Sequence, residues 1–389
     1  MAINQVYQVI NKAIKQTWGQ EALTVNDEQS LISVGHDLIR QGSPESKRLF
    51  ATNLTDIITD TIYVSRPLQL DDLGISRDTN GFNGIKRKIR VKPILTKHNT
   101  EYDLNNDAEF KPFEIIEPEV QELLFNKFST YAVEIFIPDN QLFQAFDSNA
   151  DMEAFYALLF KQLDDAITRA EKAFDKLALE NFIGEKLNLQ TTQGTKMHAV
   201  NILKKYNDRF NLQLSAVNCT TDKEFLRFLS AMLMRFKRLM ASDTDKFNAS
   251  EGYNSQTTGE YLNMYVLAEI DDFVKAYLYS DTYHDEMVEL HKYVSVDSWQ
   301  GVGNNADPFD FTNTSKIHIN IASDGTEIEQ DGILAVLIDK DAVATFYDRP
   351  VAESWRVMTK GTKYYKAGTK EMINDLLENG VVLYVKDED

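Results

Sequence analysis

The chain has 389 residues, 43% of them hydrophobic and 26% charged, which is enough apolar material for a packed core and excludes a disordered chain. Its net charge is −19, from 41 basic and 60 acidic residues, which argues against a surface built to grip nucleic acid, because that needs clustered Lys and Arg. A single cysteine, Cys219, excludes an intrachain disulfide and a cysteine-based zinc site.

The N-terminal stretch "MAINQVYQVINKAIKQTWGQ" lacks a basic segment followed by an apolar one, so it does not read as a signal peptide. No run approaches the ~18 apolar residues of a membrane span. The expectation is a cytoplasmic product. Ile3, Val6, Tyr7, Ile10, Ala13, Ile14 and Trp18 recur at intervals of three and four, a helical stripe. Gly42-Ser43-Pro44 breaks the pattern, and Pro44 suits the first turn of a next helix. Residues 1–60 therefore read as a helical arm lying on something else.

Residues 61–116 change character. Ile62-Tyr63-Val64 reads as a short strand and "DDLGISRDTNGFNG" as turns. "IKRKIRVKPILTKH" then alternates with a period of two. Ile85, Arg87, Ile89, Val91 and Leu95 share one face, and Lys86, Lys88, Arg90 and Lys92 share the other. Pro93 cannot donate to a ladder, so the strand should be an edge. The acidic stretch "NTEYDLNNDAEFKPFEIIEPE" is expected to return beside it as a long polar hairpin. Such a hairpin has too little apolar face to stand alone and should lie on a neighbour.

The clearest signal follows. "AVEIFI", Ala132 to Ile137, is a strand stopped by Pro138-Asp139. A long amphipathic helix is predicted over 151–183, with Met152, Phe155, Leu159, Leu163, Ile167, Ala170, Phe174, Leu177 and Ala178 as its buried stripe. Ser148 or Asn149 is placed to cap its start, and Gly184 stands where a terminating glycine belongs. Its length of about 50 Å, at ~1.5 Å per residue, makes it a spine rather than a local prop.

Beyond it, Thr220-Thr221-Asp222 should cap a helix reaching Met240, with Phe225, Phe228, Leu229, Met232, Leu233, Phe236 and Leu239 facing the core. Tyr261 to Leu267 reads as a strand and Glu269 to Leu278 as a short helix, set between the loops "ASDTDKFNASEGYNSQTTGE" and "GVGNNADPFDFTNTS". Ile333 to Ile338 is long enough for a buried strand and ends at the charged turn Asp339-Lys340-Asp341, with a second apolar segment, Ala342 to Tyr347, behind it. "GVVLYV" closes the chain as a strand.

No motif supplies chemistry. Gly301-Val302-Gly303 lacks the third glycine of a dinucleotide loop, and Gly361-Thr362-Lys363 has phosphate-loop letters in the wrong order. His284 and His291 are seven apart and lack zincin spacing. Asp103, Asn105, Asp107 and Glu114 mimic a calcium loop, but Ala108 replaces its glycine and Pro112 interrupts it. Cys219 has no histidine nearby in sequence, and the pairs Asp164-Asp165 and Asp271-Asp272 read as solvated because adjacent residues do not share a helix face. No catalytic residue, cofactor or metal is expected. The basic strand is the one candidate site: Lys86, Arg87, Lys88, Arg90 and Lys92 read either as an edge kept soluble by charge or as an electrostatic contact to a neighbouring acidic subunit.

The order of these parts, together with "YAVEIFIPDNQLFQAFDSNADMEAFYALLFKQLDDAITRAEKAFDKLALENFIG", resembles the major capsid proteins of tailed bacteriophages. The resemblance implies an α+β fold: an N-terminal arm over 1–60, an extended loop over 61–116, a peripheral domain over 117–190 and 351–389 around a spine helix, and an axial domain over 191–350. "ILAVLIDKDAVATFYDR" is similar to an axial-domain strand and turn, and "ESWRVMTKGTKYYKAGTKEMINDLLENGVVLYV" to the return through the peripheral domain. It further implies a non-enzymatic, self-assembling subunit of pentamers and hexamers in an icosahedral virion head. Such a shell encloses double-stranded DNA without sequence-specific contacts, binds no membrane, and assembles in the host cytoplasm with a portal. The short arm implies a separate scaffolding protein. An encapsulin-like cargo shell and a soluble α/β enzyme with sequence-distant catalytic residues are the alternatives.

Overall fold

The computed structural model describes residues 3–18, 73–78, 86–92, 117–125, 128–138, 149–250, 252–281, 293–301, 310–348, 351–357 and 361–387, with a few isolated positions between them. Ile62-Tyr63-Val64, Pro44, Pro93, Ser148, the calcium-like loop 103–114 and His284/His291 lie outside the described residues. The chain divides into two compact units, one of 1–83, 128–175 and 346–371 and one of 84–127, 176–345 and 372–389.

The first unit contains helix α1 (Ile3–Trp18), which buries Ile10, Ala13 and Ile14. Its Asn11 side chain grips Val25 at both ends, donating to the carbonyl at 2.8 Å and accepting from the N–H at 2.7 Å. A five-stranded sheet has the order β1 (Ser76–Asp78), β11 (Val343–Tyr347), β13 (Gly361–Asn374), β12 (Val351–Val357), with β4 (Phe128–Pro138) also on β13. β4 pairs antiparallel with β13 from Pro138↔Gly361 to Phe128↔Glu371. Tyr131 and Ile137 turn inward, while Phe128, Glu134 and Phe136 turn to solvent. The inner side meets the first part of helix α2 (Asn149–Thr192). There Phe160 packs edge-to-face on Tyr364 at 5.6 Å, and Lys366 bonds Asp164 at 2.6 Å. Tyr347 donates its hydroxyl to the Glu171 carbonyl at 2.7 Å. Asp164 is therefore a packed ion-pair partner, not the solvated group its neighbour Asp165 suggested.

The long helix runs 44 residues and does not stop at Gly184. Gly184 keeps an ordinary helical backbone, outside the left-handed region a terminating glycine occupies. Its missing side chain makes room: a Cβ there would sit 2.9 Å from Ile321 Cγ2 and 3.1 Å from Ile319 Cγ2. The glycine marks a close approach, which spacing along one chain does not distinguish from a helix end. Leu177, assigned to the buried stripe, is exposed instead.

In the second unit, a sheet of order β5 (Ala199–Asn201), β14 (Gly380–Tyr384), β10 (Ile333–Asp339), β6 (Leu262–Leu267), β7 (Val294–Val296) forms the core. β10 is central and buried along its whole length, which is why its sequence shows no alternation. Helix α3 (Ile202–Phe210) is capped by Asn201 and ends on Asn211 in the left-handed conformation. Helix α4 (Lys223–Met240) is capped by Asp222, whose Oδ1 accepts from Phe225 N–H at 2.7 Å. Tyr206, Phe225 and Phe228 stack between the two at centroid distances of 5.4 Å. Met240 closes the α4 stripe in place of Leu239, which is exposed. Helix α5 (Ala268–Asp281) follows β6 directly, and its Asp271 is buried, bonded to Lys275 at 2.8 Å. Asp271 thus departs from the solvated reading, whereas Asp272 is exposed. A hairpin of β8 (Ile317–Asn320) and β9 (Glu327–Gln330) places Ile319 and the adjoining Ile321 against Gly184.

The charged turn after β10 is a structural staple. Asp339 Oδ2 accepts from Thr257 Oγ1 at 2.6 Å, and Oδ1 accepts from Asp341 N–H at 2.9 Å. Burial raises its carboxyl above the ordinary value. Lys340 contributes its N–H to the Tyr261 carbonyl at 2.7 Å.

Candidate assembly surface

The basic strand is β2 (Lys86–Val91), and it pairs antiparallel with β3 (Val120–Phe125) as an isolated two-stranded ribbon of the second unit. The return strand thus lies after the acidic stretch expected to form it. "VQELLF" alternates only weakly and carries one charge, so the acidic run before it masked the pairing signal.

Register sorts the side chains into two faces. Arg87 opposes Leu124, Ile89 opposes Glu122, and Val91 opposes Val120 on one face. Lys86, Lys88 and Arg90 share the other with Phe125, Leu123 and Gln121. The alternation read from sequence is correct. The usual inference from it, that apolar residues turn inward, is reversed here. Ile89, Val91, Val120 and Leu124 are 52%, 56%, 59% and 59% exposed, and Lys88 and Arg90 face the chain's own interior.

The cause is the seat beneath. The turn after β13 carries two carboxylates, Asp375 and Glu378. Lys88 Nζ lies 2.6 Å from Asp375 Oδ2 and 2.7 Å from Glu378 Oε1. Arg90 Nη2 lies 3.0 Å from Asp375 Oδ2 and also pairs with Glu378. Arg90 Nη1 donates to the Leu377 carbonyl at 2.9 Å, and Lys88 to the Asp341 carbonyl at 3.1 Å. The Asp375 side chain is fully buried. Buried charge persists only when paired and hydrogen-bonded, and this cluster meets both conditions. Two further pairs finish the ribbon: Arg87 Nε with Glu122 at 2.7 Å and Lys92 with Glu119 at 2.7 Å. Lys86 shares the inward face with Lys88 and Arg90.

Lys186 of α2 supports the same turn from inside. It is fully buried, and its ammonium donates to the carbonyls of Phe247 at 2.9 Å, Glu378 at 3.2 Å and Leu376 at 3.4 Å. Burial pushes it down to about 7, with Asp375 pulling the other way. Close by, His198 is buried and held neutral, lowered to about 3 by burial and by Lys186 and Lys196. Sequence alone did not single out Lys186, because a lysine on a helix reads as solvated until its surroundings are known.

The first unit offers a second exposed face. Trp355 of β12 stacks on Tyr365 at 5.6 Å under the Lys363 ammonium at 5.5 Å, with Phe136 opposite Lys363 in the register. An open groove of about 220 Å³ in the second unit runs under Leu124 and Phe125 beside Asn181 and Glu185. The groups whose pKa moves furthest, Glu180, Lys186, His198 and Cys219, are packed in the interior and do not line it. Among the described residues there is no cluster of three or more metal-ligating side chains, and no helix is long and apolar enough to cross a membrane.

The fold has counterparts among solved structures. It matches a chain from the capsid structure of Staphylococcus phage Andhra with a TM-score of 0.52 at 10% identity, over 80% of this chain and 83% of that one. It matches a chain from the structure of the head fiber and inner core protein gp22 of native bacteriophage P68 with a TM-score of 0.55 at 9% identity, over 83% and 88%. The fold class is that of tailed-phage capsid subunits. Residues 8–350 match the family model of the Phi29-like phage major capsid protein, and the chain belongs to that family. It is a phage major capsid protein, a component of the virion that self-assembles into the shell. No curated protein matches the chain.

Proposed function

We propose that this subunit builds an icosahedral head from pentamers and hexamers, and that its ribbon is the extended loop that reaches onto a neighbouring subunit. The observation that carries the reading is the ribbon's reversed polarity. Four apolar side chains face water while two cations are turned inward. A two-stranded ribbon is marginal alone, and an exposed apolar face of this kind suits a surface covered on assembly. The contact expected of Lys86, Arg87, Lys88, Arg90 and Lys92 is accordingly divided: Arg87 stands with the apolar face toward the neighbour, and Lys88 and Arg90 set the ribbon's orientation.

In this reading residues 1–60 form the arm, 128–190 with 351–389 the peripheral domain, and 191–350 the axial domain, while β3 (Val120–Phe125) goes with the extended loop. The subunit acts without catalysis. Its partners are a scaffolding protein, a portal and packaged double-stranded DNA, and assembly takes place in the host cytoplasm. The net charge of −19 fits an inner wall along which DNA moves without adhering.

The test is negative-stain electron microscopy of the purified protein, alone and with any scaffolding protein encoded beside it. Closed shells or tubes of uniform width are expected. Reversing Lys86, Lys88, Arg90 and Lys92 to Glu should abolish them; undiminished particle yield would remove the ribbon from the assembly contact.

A further inference from the structure

The ribbon's attachment has an unusual composition. Among the described residues, no backbone hydrogen bond ties β2 or β3 to the rest of the second unit; the backbone bond at its end, Lys92 N–H to Glu119 O at 2.9 Å, is internal to the ribbon. What holds it to Asp341 and the 375–378 turn is the two side chains Lys88 and Arg90. Each cation touches both carboxylates, so the cluster is neutral as a whole and strongly unbalanced if either side leaves.

The seat, by contrast, is fixed by bonds that do not involve the ribbon. Asp375 N–H donates to the Ala342 carbonyl at 2.7 Å, and Asp375 Oδ1 accepts from Leu377 N–H at 3.0 Å. Lys186 holds the carbonyls of Leu376 and Glu378 from below. Gly380 N–H donates to the Phe247 carbonyl at 3.0 Å, and Asn379 Nδ2 to Ser255 O at 3.0 Å. A rigid acidic seat therefore meets an element whose polar attachment to it is carried by charged side chains rather than by backbone.

We infer that Lys88 and Arg90 form a latch: in the unassembled subunit they clamp the ribbon on the Asp375–Glu378 seat and hold its apolar face outward, and breaking the four-charge cluster releases the ribbon as a unit while the seat and the sheet behind it stay folded. The latch is a property of the free subunit and does not rest on which neighbour the ribbon meets in a shell. Once the cluster opens, the ribbon keeps the Lys92 ammonium over the Tyr253 ring at 5.5 Å and the half-buried Leu123 and Phe125, and a two-stranded ribbon with so little support frays in water. Salt favours the open form because it screens the four charges once they are separated and hydrated.

Hydrogen exchange on the full-length, unassembled chain reads this directly. The reporters are the amides of 86–91 and 120–125, and the internal reference is 333–338 of β10. Replacing both cations, Lys88→Gln with Arg90→Gln, should speed ribbon exchange about tenfold or more and leave β10 unchanged. The charge-preserving pair Lys88→Arg with Arg90→Lys should stay within about threefold of the wild type. Raising salt from about 0.05 to about 1 M should speed the wild-type ribbon and barely move the neutral variant. Ribbon protection unchanged in the neutral variant would overturn the latch, as would a rise in β10 exchange equal to that of the ribbon, which would make the cluster part of the global fold. Shell formation plays no part in this readout, so loss of assembly and loss of the latch are separable results.

Discussion

Glu180 lies on the inner side of α2 with 6% of its surface exposed, and burial lifts its carboxyl from 4.5 to about 7, against the pull of Lys176. In the unfolded chain the same group ionises near its ordinary value. Between pH 4.5 and 7 the folded state therefore holds a proton that the unfolded state has lost. Stability from this site is full below that window and falls as pH rises through it, by roughly 3 kcal/mol at about 1.4 kcal/mol per unit. Glu180→Gln removes the titration, so the variant should exceed the wild type in denaturant midpoint at pH 8 and nearly match it at pH 5. Equal midpoints at both pH values would show that the carboxylate finds solvation the packing does not suggest. The comparison must be between variants at each pH, because His198 acts in the opposite sense. Its imidazole is lowered from 6.5 to about 3, so its contribution is lost as pH falls below 6.5. Asp222 offers a simpler residue-scale case. Its cap on Phe225 N–H is worth about 1 kcal/mol, and Asp222→Ala should lower stability by that amount while Asp222→Asn keeps most of it.

At the scale of elements, Gly184 decides how α2 meets the β8–β9 hairpin. Gly→Ala in a helix interior ordinarily gains about 1 kcal/mol. Here the added methyl enters the space of Ile319 and Ile321, both buried and both stiffened by the branch at Cβ that carries the contacting methyl. Overpacking costs about 1–3 kcal/mol, so Gly184→Ala should destabilise by about 1 kcal/mol net, measured by chemical denaturation. A stabilised variant would mean the hairpin yields freely. The same glycine marks the limit of what the sequence conveys about elements. The helix itself was legible from Leu163, Ile167, Phe174 and Ala178, because a 3.6-residue period states which side is buried. Its end was not, since one glycine is consistent with a terminus and with a close crossing, and only the partner element distinguishes them. β10 was legible for the reason that it is buried on all sides. The ribbon's period was legible and its facing was not: Asp375 and Glu378, some 285 residues away in sequence, reverse the rule that apolar residues turn inward.

For the whole molecule, that reversal bears on assembly. The order of parts along the chain pointed to the capsid family more clearly than any short motif, because the fold rests on spine helix, sheet and ribbon rather than on a catalytic signature. Where the subunit meets its copies was less legible, since a contact face is defined by what remains uncovered after folding. Ile89 and Leu124 are such residues, both more than half exposed in the single subunit. An aspartate at an exposed position changes folding stability little, within about 0.5 kcal/mol. The same aspartate carried into an apolar contact is an unpaired charge stripped of water, which costs several kcal/mol unless the contact opens. In a closed shell each subunit repeats the contact, so a modest penalty per contact is multiplied across the particle. Ile89→Asp with Leu124→Asp should therefore leave thermal unfolding of the isolated subunit near wild type and reduce closed particles severely, with the protein recovered as small, folded species in sedimentation. Latch variants at Lys88 and Arg90 should differ, showing loss of ribbon protection before any effect on particles is considered. Should the doubly substituted chain give shells in normal yield, the apolar face would have to stay in water after assembly, and the neighbour contact would have to be sought instead on the Trp355 and Phe136 face of the other unit.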